Sequence, residues 1–587
     1  MKKIISIITL AVLMIACTER FERINKSPSF LSAESIKQDN NFGLIFRGLF
    51  EGNLIPSGAS YQYAIDWQAD NYIGHTGTPL DEFGGRDMMS YYVIDSWNNY
   101  LWDQFYSQMS STLVRRSLAI EAEEPLYLAM TEMRLVMAAS YITTYYGPII
   151  YSEYGERKDS FEYDSEQELY PMFFDKLDEM RGVFYNTSES DAKIFAKFDF
   201  LYNGDTKQWA KMINSWKMRL AMRIVKADPT TARRQFEEAV AHPAGYMKET
   251  EDSFWNRFTG THALWTMSNS WNDCRMGSTM EEVLVGFEDP RLYKMWREVD
   301  DQSSVALSGK FEREFPTYVF PKPDFKYKGI ARGAYLDSDK IRDSFSAANA
   351  SFNIQVNTYR KRPILLSSEI YFMLAEAAVR GWAVPNTAKE YYEEGIRQSF
   401  LEWEVTEKYA TPANNLNLIP AFNQAKALEM AETYLNNSTN MPIDYVDPAD
   451  RDNNVPGSSN SYKTRMTDPE AYTVKWRDDV SSEKKLERIM TQKWIAGFQN
   501  SIEVWSDFRR TGYPKIPYTS MNNSTSEWGI VVDGDFTRRL VFVKKERLSN
   551  PGLVEAIRKL GGENKITTTL WIHSPWVNHD NPNNNLP

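Results

Sequence analysis

Apolar residues recur at helical spacing over the first two fifths of the chain, at about 29–230. Side chains three or four positions apart share one face of a helix, so this spacing predicts a series of amphipathic helices. One clear example is the set Trp97, Leu101, Phe105, Met109 and Leu113. A later helix is predicted to stop at Gly147 and Pro148, since glycine ends helices and proline cannot continue them.

Helical periodicity returns in two later segments, at about 365–400 and 483–510. In the first, Ser367 or Ser368 is expected to cap a helix that faces inward through Leu374, and a second helix follows. Two short helices within about 34 residues, with small residues at their crossing, are typical of a tetratricopeptide unit. In the second segment an amphipathic helix pair is predicted to end at Gly512 and Pro514.

Two segments between these helices, about 242–356 and 410–473, show little periodicity. Gly, Pro, Ser and Asn are frequent in the first, and Asn and Pro in the second. Long irregular segments inside compact proteins are usually functional. We therefore expect a mainly helical protein with a loop-rich lobe.

Composition narrows the classes of partner. A chain of 587 residues is too long for one compact core, so two lobes or an extended helical array are expected. The net charge of −12 and the lack of basic runs argue against nucleic acid as a ligand. The 17 Trp, 33 Tyr and 31 Phe residues can fill cores or stack on planar ligands and sugar rings.

The N-terminus has the layout of a secretory signal. Lys2 and Lys3 precede an apolar run at 4–16, which is too short to span a bilayer. Cys17 follows Ala16 directly, and 14–17 resembles a bacterial lipobox, whose cysteine is acylated and becomes the new N-terminus. We predict a signal peptide at 1–16, lipidation at Cys17 and a tether at 17–28, with the lipid as the only membrane attachment. The alternative is a plain secreted protein with a free thiol; Cys274 is expected to be a buried small hydrophobe.

The catalytic motifs that we sought are missing from the sequence. The five histidines are scattered without a zinc-binding spacing, and no nucleophile elbow, phosphate loop or dinucleotide fingerprint occurs. We therefore expect a binding protein rather than an enzyme, with no cofactor and no metal site. A carboxylate pair for glycoside hydrolysis is not excluded by counting acidic residues, and loop carboxylates are able to hold calcium although no calcium-loop motif occurs.

Several stretches, taken in order, resemble the SusD/RagB-like outer-membrane lipoproteins, specifically the SusD-like subgroup with a GYP signature. Besides the lipobox cysteine, they are YYGPIIY at 145–151, DFLYNGDTKQWAKMINSWKMRLAMRI at 199–224, EDPRL at 288–292, YKGIARG at 327–333, LLSSEIYFMLAEAA at 365–378 and QKWIAGFQNSIEVWSDFRRTGYP at 492–514. They cover nearly the whole chain.

The resemblance implies a single SusD-like domain at 29–587, in which a loop-rich lobe packs over tetratricopeptide-like helix pairs. It further implies a lipid-anchored protein facing the cell exterior, which passes a nutrient oligomer to a SusC-like TonB-dependent transporter. An oligosaccharide is the expected ligand. An oligopeptide ligand, a surface glycoside hydrolase and a protein scaffold are the alternatives.

Two loop stretches mix aromatic and polar residues in the way that sugar binding requires, since rings stack on C–H faces and polar groups meet hydroxyls. The stretch 70–92 offers Tyr72, Asp81, Arg86, Tyr91 and Tyr92, and the stretch 254–273 offers Trp255, Trp265, Trp271 and Asn272. Packing of these loops onto the core is the alternative for each aromatic residue. By contrast, Trp209, Trp216, Trp494 and Trp505 lie on helical faces and are predicted core residues.

Overall fold

A computed structural model describes residues 42–575, apart from 51–53, 56, 79–85, 157, 159, 259, 300–325, 334–344, 354–360, 409–419, 446–471 and 533. The predicted signal peptide, tether and Cys17 lie outside the described residues, as does Asp81. The proposed domain boundaries stay predictions.

The described chain is mainly helical, which confirms the predicted fold class. Its longer helices are α1 (Asp95–Glu121), α2 (Pro125–Tyr146), α3 (Glu166–Tyr185), α4 (Glu189–Phe195), α5 (Thr206–Arg223), α6 (Pro229–Ala241), α7 (Ser367–Val379), α8 (Ala388–Glu402), α9 (Gln424–Leu435), α10 (Ser482–Ala496), α11 (Ser501–Thr511), α12 (Lys544–Ser549) and α13 (Leu553–Leu560). Neighbouring helices along the chain pack on each other, most extensively α7 on α8 and α1 on α2, and α10 packs on α7.

Short strands and π-helices make up the lobe beside these pairs. Strand β1 (Thr76–Gly77) pairs antiparallel with β3 (Arg275–Met276), and β2 (Phe254–Arg257) pairs antiparallel with β4 (Lys361–Leu365). Three π-helices span Gln62–Asp70, Thr266–Trp271 and Glu281–Val285. Within the predicted loop-rich segment 410–473, the structure places a regular helix, α9.

The core is aromatic, and it contains the four tryptophans predicted from helical faces. Trp209, Trp216, Trp494 and Trp505 are all buried. The ring of Trp209 stacks on Phe184 with centroids 5.0 Å apart, and Trp505 meets Tyr145 edge-on at 5.0 Å. These contacts join α5 to α3 and α11 to α2.

Buried ion pairs cross the helices at the centre of the molecule. Arg219 of α5 donates two hydrogen bonds to Glu369 of α7, at 2.7 and 2.6 Å, and Arg223 binds Glu503 of α11. Arg510 of α11 binds both carboxylate oxygens of Glu376, at 2.5 and 2.9 Å. Charges removed from water are tolerated only when they are paired and hydrogen-bonded. The pairs therefore specify how α5, α7 and α11 pack.

Helix ends follow the predicted stops but not the predicted cap. Gly147 ends α2, and Gly512 ends α11 in the left-handed conformation at φ 79°. The serines at the start of α7 do not cap it through their own side chains. Instead, the Ser367 N–H donates to Ser253 Oγ at 2.9 Å and the Ser368 N–H to Glu402 Oε1 at 3.2 Å. The N-terminus of α7 is thus capped by Ser253, which directly precedes β2, and by Glu402, the last residue of α8.

Burial raises the pKa of Glu402 to about 7, although Ser368 and Ser253 donate hydrogen bonds to it. The folded protein therefore keeps this proton at pH values where the unfolded chain has released it, and stability falls as pH rises from about 4.5 to 7. We expect Glu402→Gln, which cannot ionise, to match the parent near pH 4.5 and to exceed its unfolding free energy by about 2–3 kcal/mol at pH 8. Urea unfolding of both proteins across this pH range measures the difference between their unfolding free energies. A difference that does not vary with pH would contradict the prediction.

Removal of one partner from the central ion pairs should destabilise the fold strongly. Burial alone raises the pKa of Glu376, but Arg510 and Arg380 offset this and hold the pKa below its ordinary value. Glu376→Ala leaves these guanidinium groups short of a partner, and we expect a loss of about 3–5 kcal/mol in unfolding free energy. The exposed pair Glu555–Arg558 provides the control, because Glu555→Ala should leave the urea midpoint unchanged. Equal effects of the two variants would overturn the argument.

Candidate ligand-binding site

Four aromatic side chains form a platform where the first π-helix meets the start of α1. The ring of Tyr63 stacks on Tyr100 with centroids 4.9 Å apart, and Trp67 lies 4.5 Å from Trp97. Tyr63 also contacts both tryptophans, at 5.1 and 5.4 Å. The two indoles are buried, whereas Tyr63 is half-buried and Tyr100 is 37% exposed. This aromatic platform therefore has a buried base and two tyrosine rings at the surface.

A second aromatic surface lies on the π-helix Thr266–Trp271. Trp271 is 42% exposed, whereas Trp265 is half-buried and packs against the core. Asn272 ends the π-helix in the left-handed conformation, at φ 63°, which asparagine tolerates better than most residues. Arg275 holds this turn: it donates to the Ser268 carbonyl at 2.7 Å and contacts Asn272 Oδ1 at 3.4 Å.

Asp273 joins the two aromatic surfaces. Its Oδ2 accepts a hydrogen bond from Gln62 Nε2 at 2.5 Å, and Gln62 precedes Tyr63. Its main-chain oxygen accepts one from Thr78 Oγ1, also at 2.5 Å. Trp271 and Asn272 thus lie on a segment that adjoins the aromatic platform, and the chain continues from Thr78 toward Asp81.

Buried acidic groups underlie the platform. Asp70 accepts hydrogen bonds from Tyr61 at 2.8 Å and from Ser501 of α11, and burial raises its pKa to about 7. Burial, together with the neighbouring Asp70, raises the pKa of Asp66 well above its ordinary range. Both side chains are closed off from solvent, so they hold the π-helix in place rather than meet a ligand.

Cys274 and His75 are both buried. Cys274 is fully buried, as predicted, and burial raises the pKa of its thiol well above the usual value, which keeps it unreactive. Burial lowers the pKa of His75 to about 3, and its Nε2 lies 3.1 Å from the Trp494 carbonyl oxygen. Among the described residues, no group of three His, Cys, Asp or Glu side chains is arranged to hold a metal ion.

Three of the predicted ligand-binding aromatics are buried. The Tyr72 hydroxyl donates to the Met88 carbonyl at 2.9 Å, and Tyr91 is covered by the guanidinium of Arg332, 5.7 Å from its ring. Trp255 is buried edge-on against Trp403, with centroids 6.3 Å apart. These positions give the three side chains packing contacts, and their contact with a ligand stays a prediction.

Two of the ligand-binding residues predicted in the stretch 70–92 reach solvent. Arg86 is exposed and Tyr92 is half-buried. Asn523 holds this loop, because its N–H donates to the Ser90 carbonyl at 2.7 Å. The ligand roles of Arg86 and Tyr92 also stay predictions.

The aromatic platform was not among the predicted site residues. Its members repeat at helical spacing, Tyr63 with Trp67 and Trp97 with Tyr100, and such spacing predicts core. The available signal was the pairing of a tyrosine with each tryptophan, since a phenol can keep one edge in water. Trp97 is indeed buried, but the tyrosines extend the stack to the surface.

A separate cleft of about 450 Å³ lies between α1, α2 and α3. Met109 and Leu135 are among its lining residues, as are Arg116 and Glu132, which form an ion pair. It includes none of the predicted ligand-binding residues.

A family model described as "SusD-like: Susd and RagB outer membrane lipoprotein" matches residues 23–418 and 418–573. The chain belongs to this SusD-like family. The predicted family and the outer-membrane lipoprotein class are thereby confirmed, while the GYP subgroup stays a prediction. Where the structure describes the chain, no helix has the length and apolar character to cross a bilayer.

Solved structures of SusD homologues share the fold. A chitin-binding SusD homologue from Flavobacterium johnsoniae is 29% identical, with a TM-score of 0.74, covering 91% of this chain and 98% of its own. A SusD homologue from Bacteroides ovatus is 26% identical, with a TM-score of 0.71 and the same coverage of both chains. A SusD-like protein from Bacteroides thetaiotaomicron is 25% identical, with a TM-score of 0.71, again covering 91% and 98%. Among curated proteins, none matches this chain.

Proposed function

We propose that this nutrient-binding lipoprotein captures an oligosaccharide at the cell surface and delivers it to a SusC-like TonB-dependent transporter without changing it chemically. The observation that carries the ligand class is the pair of partly exposed aromatic surfaces, Tyr63 with Tyr100 and Trp271, joined through Asp273. Sugar rings stack their C–H faces on such side chains. Asn272 offers polar atoms beside Trp271 for hydroxyl groups.

Oligomers of N-acetylglucosamine are the first ligands to test. Chitin binding belongs to the similar protein from Flavobacterium johnsoniae, and at 29% identity it supports a choice of probe for this chain. An acetamido group adds a carbonyl acceptor and an N–H donor to each ring, which suits an amide such as Asn272. The buried carboxylates and thiol beneath the platform support binding without hydrolysis, since none is accessible to a substrate.

The proposed site makes a prediction for three alanine variants. Trp271→Ala and Tyr100→Ala should each weaken retardation of the protein in gels containing soluble chitin derivatives, by roughly 5–100-fold in affinity, because each removes one stacking face. Phe422→Ala is the matched control: Phe422 is 41% exposed, as Trp271 is 42% exposed, and it lies outside the site. It should bind as the parent does.

A panel of other polysaccharides and peptide mixtures should be run in parallel with these variants. If no glycan retards the protein and an oligopeptide binds to it, the ligand is a peptide and the rest of the proposed role is unchanged. Release of shortened products from an incubated glycan would instead favour a hydrolase.

Lipidation at Cys17 makes a prediction about location. Cys17→Ala should remove the protein from the outer-membrane fraction, because acyl chains contribute about 0.8 kcal/mol per buried methylene. Protease treatment of intact cells expressing the parent protein tests the outward orientation, and digestion is expected. Retention of Cys17→Ala in the outer-membrane fraction would contradict the anchor.

A further inference from the structure

Asp273 makes one side-chain and one main-chain link between segments that carry the proposed site. Its carboxylate binds Gln62 on the first π-helix, and its carbonyl oxygen binds Thr78 at the end of β1. Its own N–H donates to the Met267 carbonyl at 3.0 Å, which closes the turn that carries Trp271. The side chain is buried.

The side-chain link between Asp273 and Gln62 lies close to both aromatic surfaces. Gln62 is adjacent to Tyr63, and Asp273 is two residues from Trp271, so each partner is close to one stacking ring. The bond joins an amide N–H to a carboxylate, and hydrogen bonds to a charged acceptor are stronger than those between neutral groups. Cys274 makes a second side-chain tie, since its Sγ–H donates to Asp66 Oδ1 of the first π-helix at 3.6 Å. The β1–β3 pairing and the Thr78 bond use main-chain atoms of the 273–276 segment.

Two surfaces held at a constant separation favour ligands long enough to reach both. A chain that binds one surface presents its next rings to the other at a high effective concentration, but only while the separation matches. Short ligands gain nothing from the second surface. A change in how affinity depends on oligomer length therefore indicates that the link between the surfaces is altered. Loss of a stacking face instead lowers the affinity for every oligomer that contacts that face.

We propose that Asp273 is a positioning residue that makes this protein selective for longer oligosaccharides by holding Trp271 in register with the aromatic platform. The proposal rests on the proposed function. The discrimination between short and long chains then depends on a buried carboxylate.

The test compares chitotriose with chitohexaose by isothermal titration calorimetry. The parent protein should bind the hexamer at least roughly tenfold more tightly than the trimer. Asp273→Ala should reduce this ratio to about 1–3 while the trimer affinity stays within roughly twofold of the parent. Asp273→Asn keeps a carbonyl oxygen to accept from Gln62 and should restore most of the ratio.

Gln62→Ala removes the same hydrogen bond from the other side and guards against misfolding of the Asp273 variants. It should lower the ratio to the same extent, and the double variant should show no further loss, as for two partners in one interaction. Trp271→Ala should lower hexamer affinity without rescue by any change at Asp273.

The outcomes are separable. If the parent binds neither oligomer, the chitin-type ligand is wrong and the inference falls with it. If the parent binds with a length preference that Asp273→Ala and Gln62→Ala leave intact, the ligand class stands and the positioning role is overturned. A parallel loss of trimer and hexamer affinity in both variants would make Asp273 merely structural.

Discussion

The structure depends on the charges of α11. Glu503, Asp507 and Arg510 of this one helix are buried, and each is paired with an opposite charge on another helix: Arg223 of α5, Lys493 of α10 and Glu376 of α7. Such pairs contribute little net stability compared with an apolar core, but leaving one unpaired is costly. Helices that pack in any other arrangement would bury at least one charge alone. The pairs therefore select one packing of four helices from among many that the apolar residues alone would allow.

The same helix connects this ionic centre to the proposed binding surface. Ser501, at the start of α11, donates to Asp70 at the end of the π-helix that carries Tyr63 and Trp67. The charged residues that form ion pairs within 199–224, 365–378 and 492–514 thus have structural roles in this chain. In other proteins, charged residues often contact ligands instead. The aromatic and amide side chains of the proposed site lie on a lobe whose backbone includes short strands and π-helices.

Local patterns were sufficient to predict most of the helices, two glycine stops and the tryptophan core, but not α9, which lies in a segment predicted to be loop-rich. Trp209 and Trp505 occur at helical spacing and are buried. Gly512 ends α11 in the left-handed conformation, which glycine adopts readily. Contacts between distant segments were not predictable in this way. Glu402 caps a helix that begins 35 residues earlier, and Tyr91 is buried because Arg332, far along the chain, covers it. The platform also escaped prediction, because it forms only when 62–70 packs against α1.

The π-helix at Gln62–Asp70 constrains the length of the chain as well as its composition. Its wider turns let Tyr63 and Trp67 reach α1 while Asp70, at the other end, reaches Ser501. Loss of a single residue between these ends, with the wider turns kept, would remove one residue's rotation around the axis, which is about 100° in a regular α-helix and smaller in a π-helix. One end would then point away from its partner. Substitutions change this surface one side chain at a time, but such a deletion would bring the platform rings and Asp70 out of register with each other.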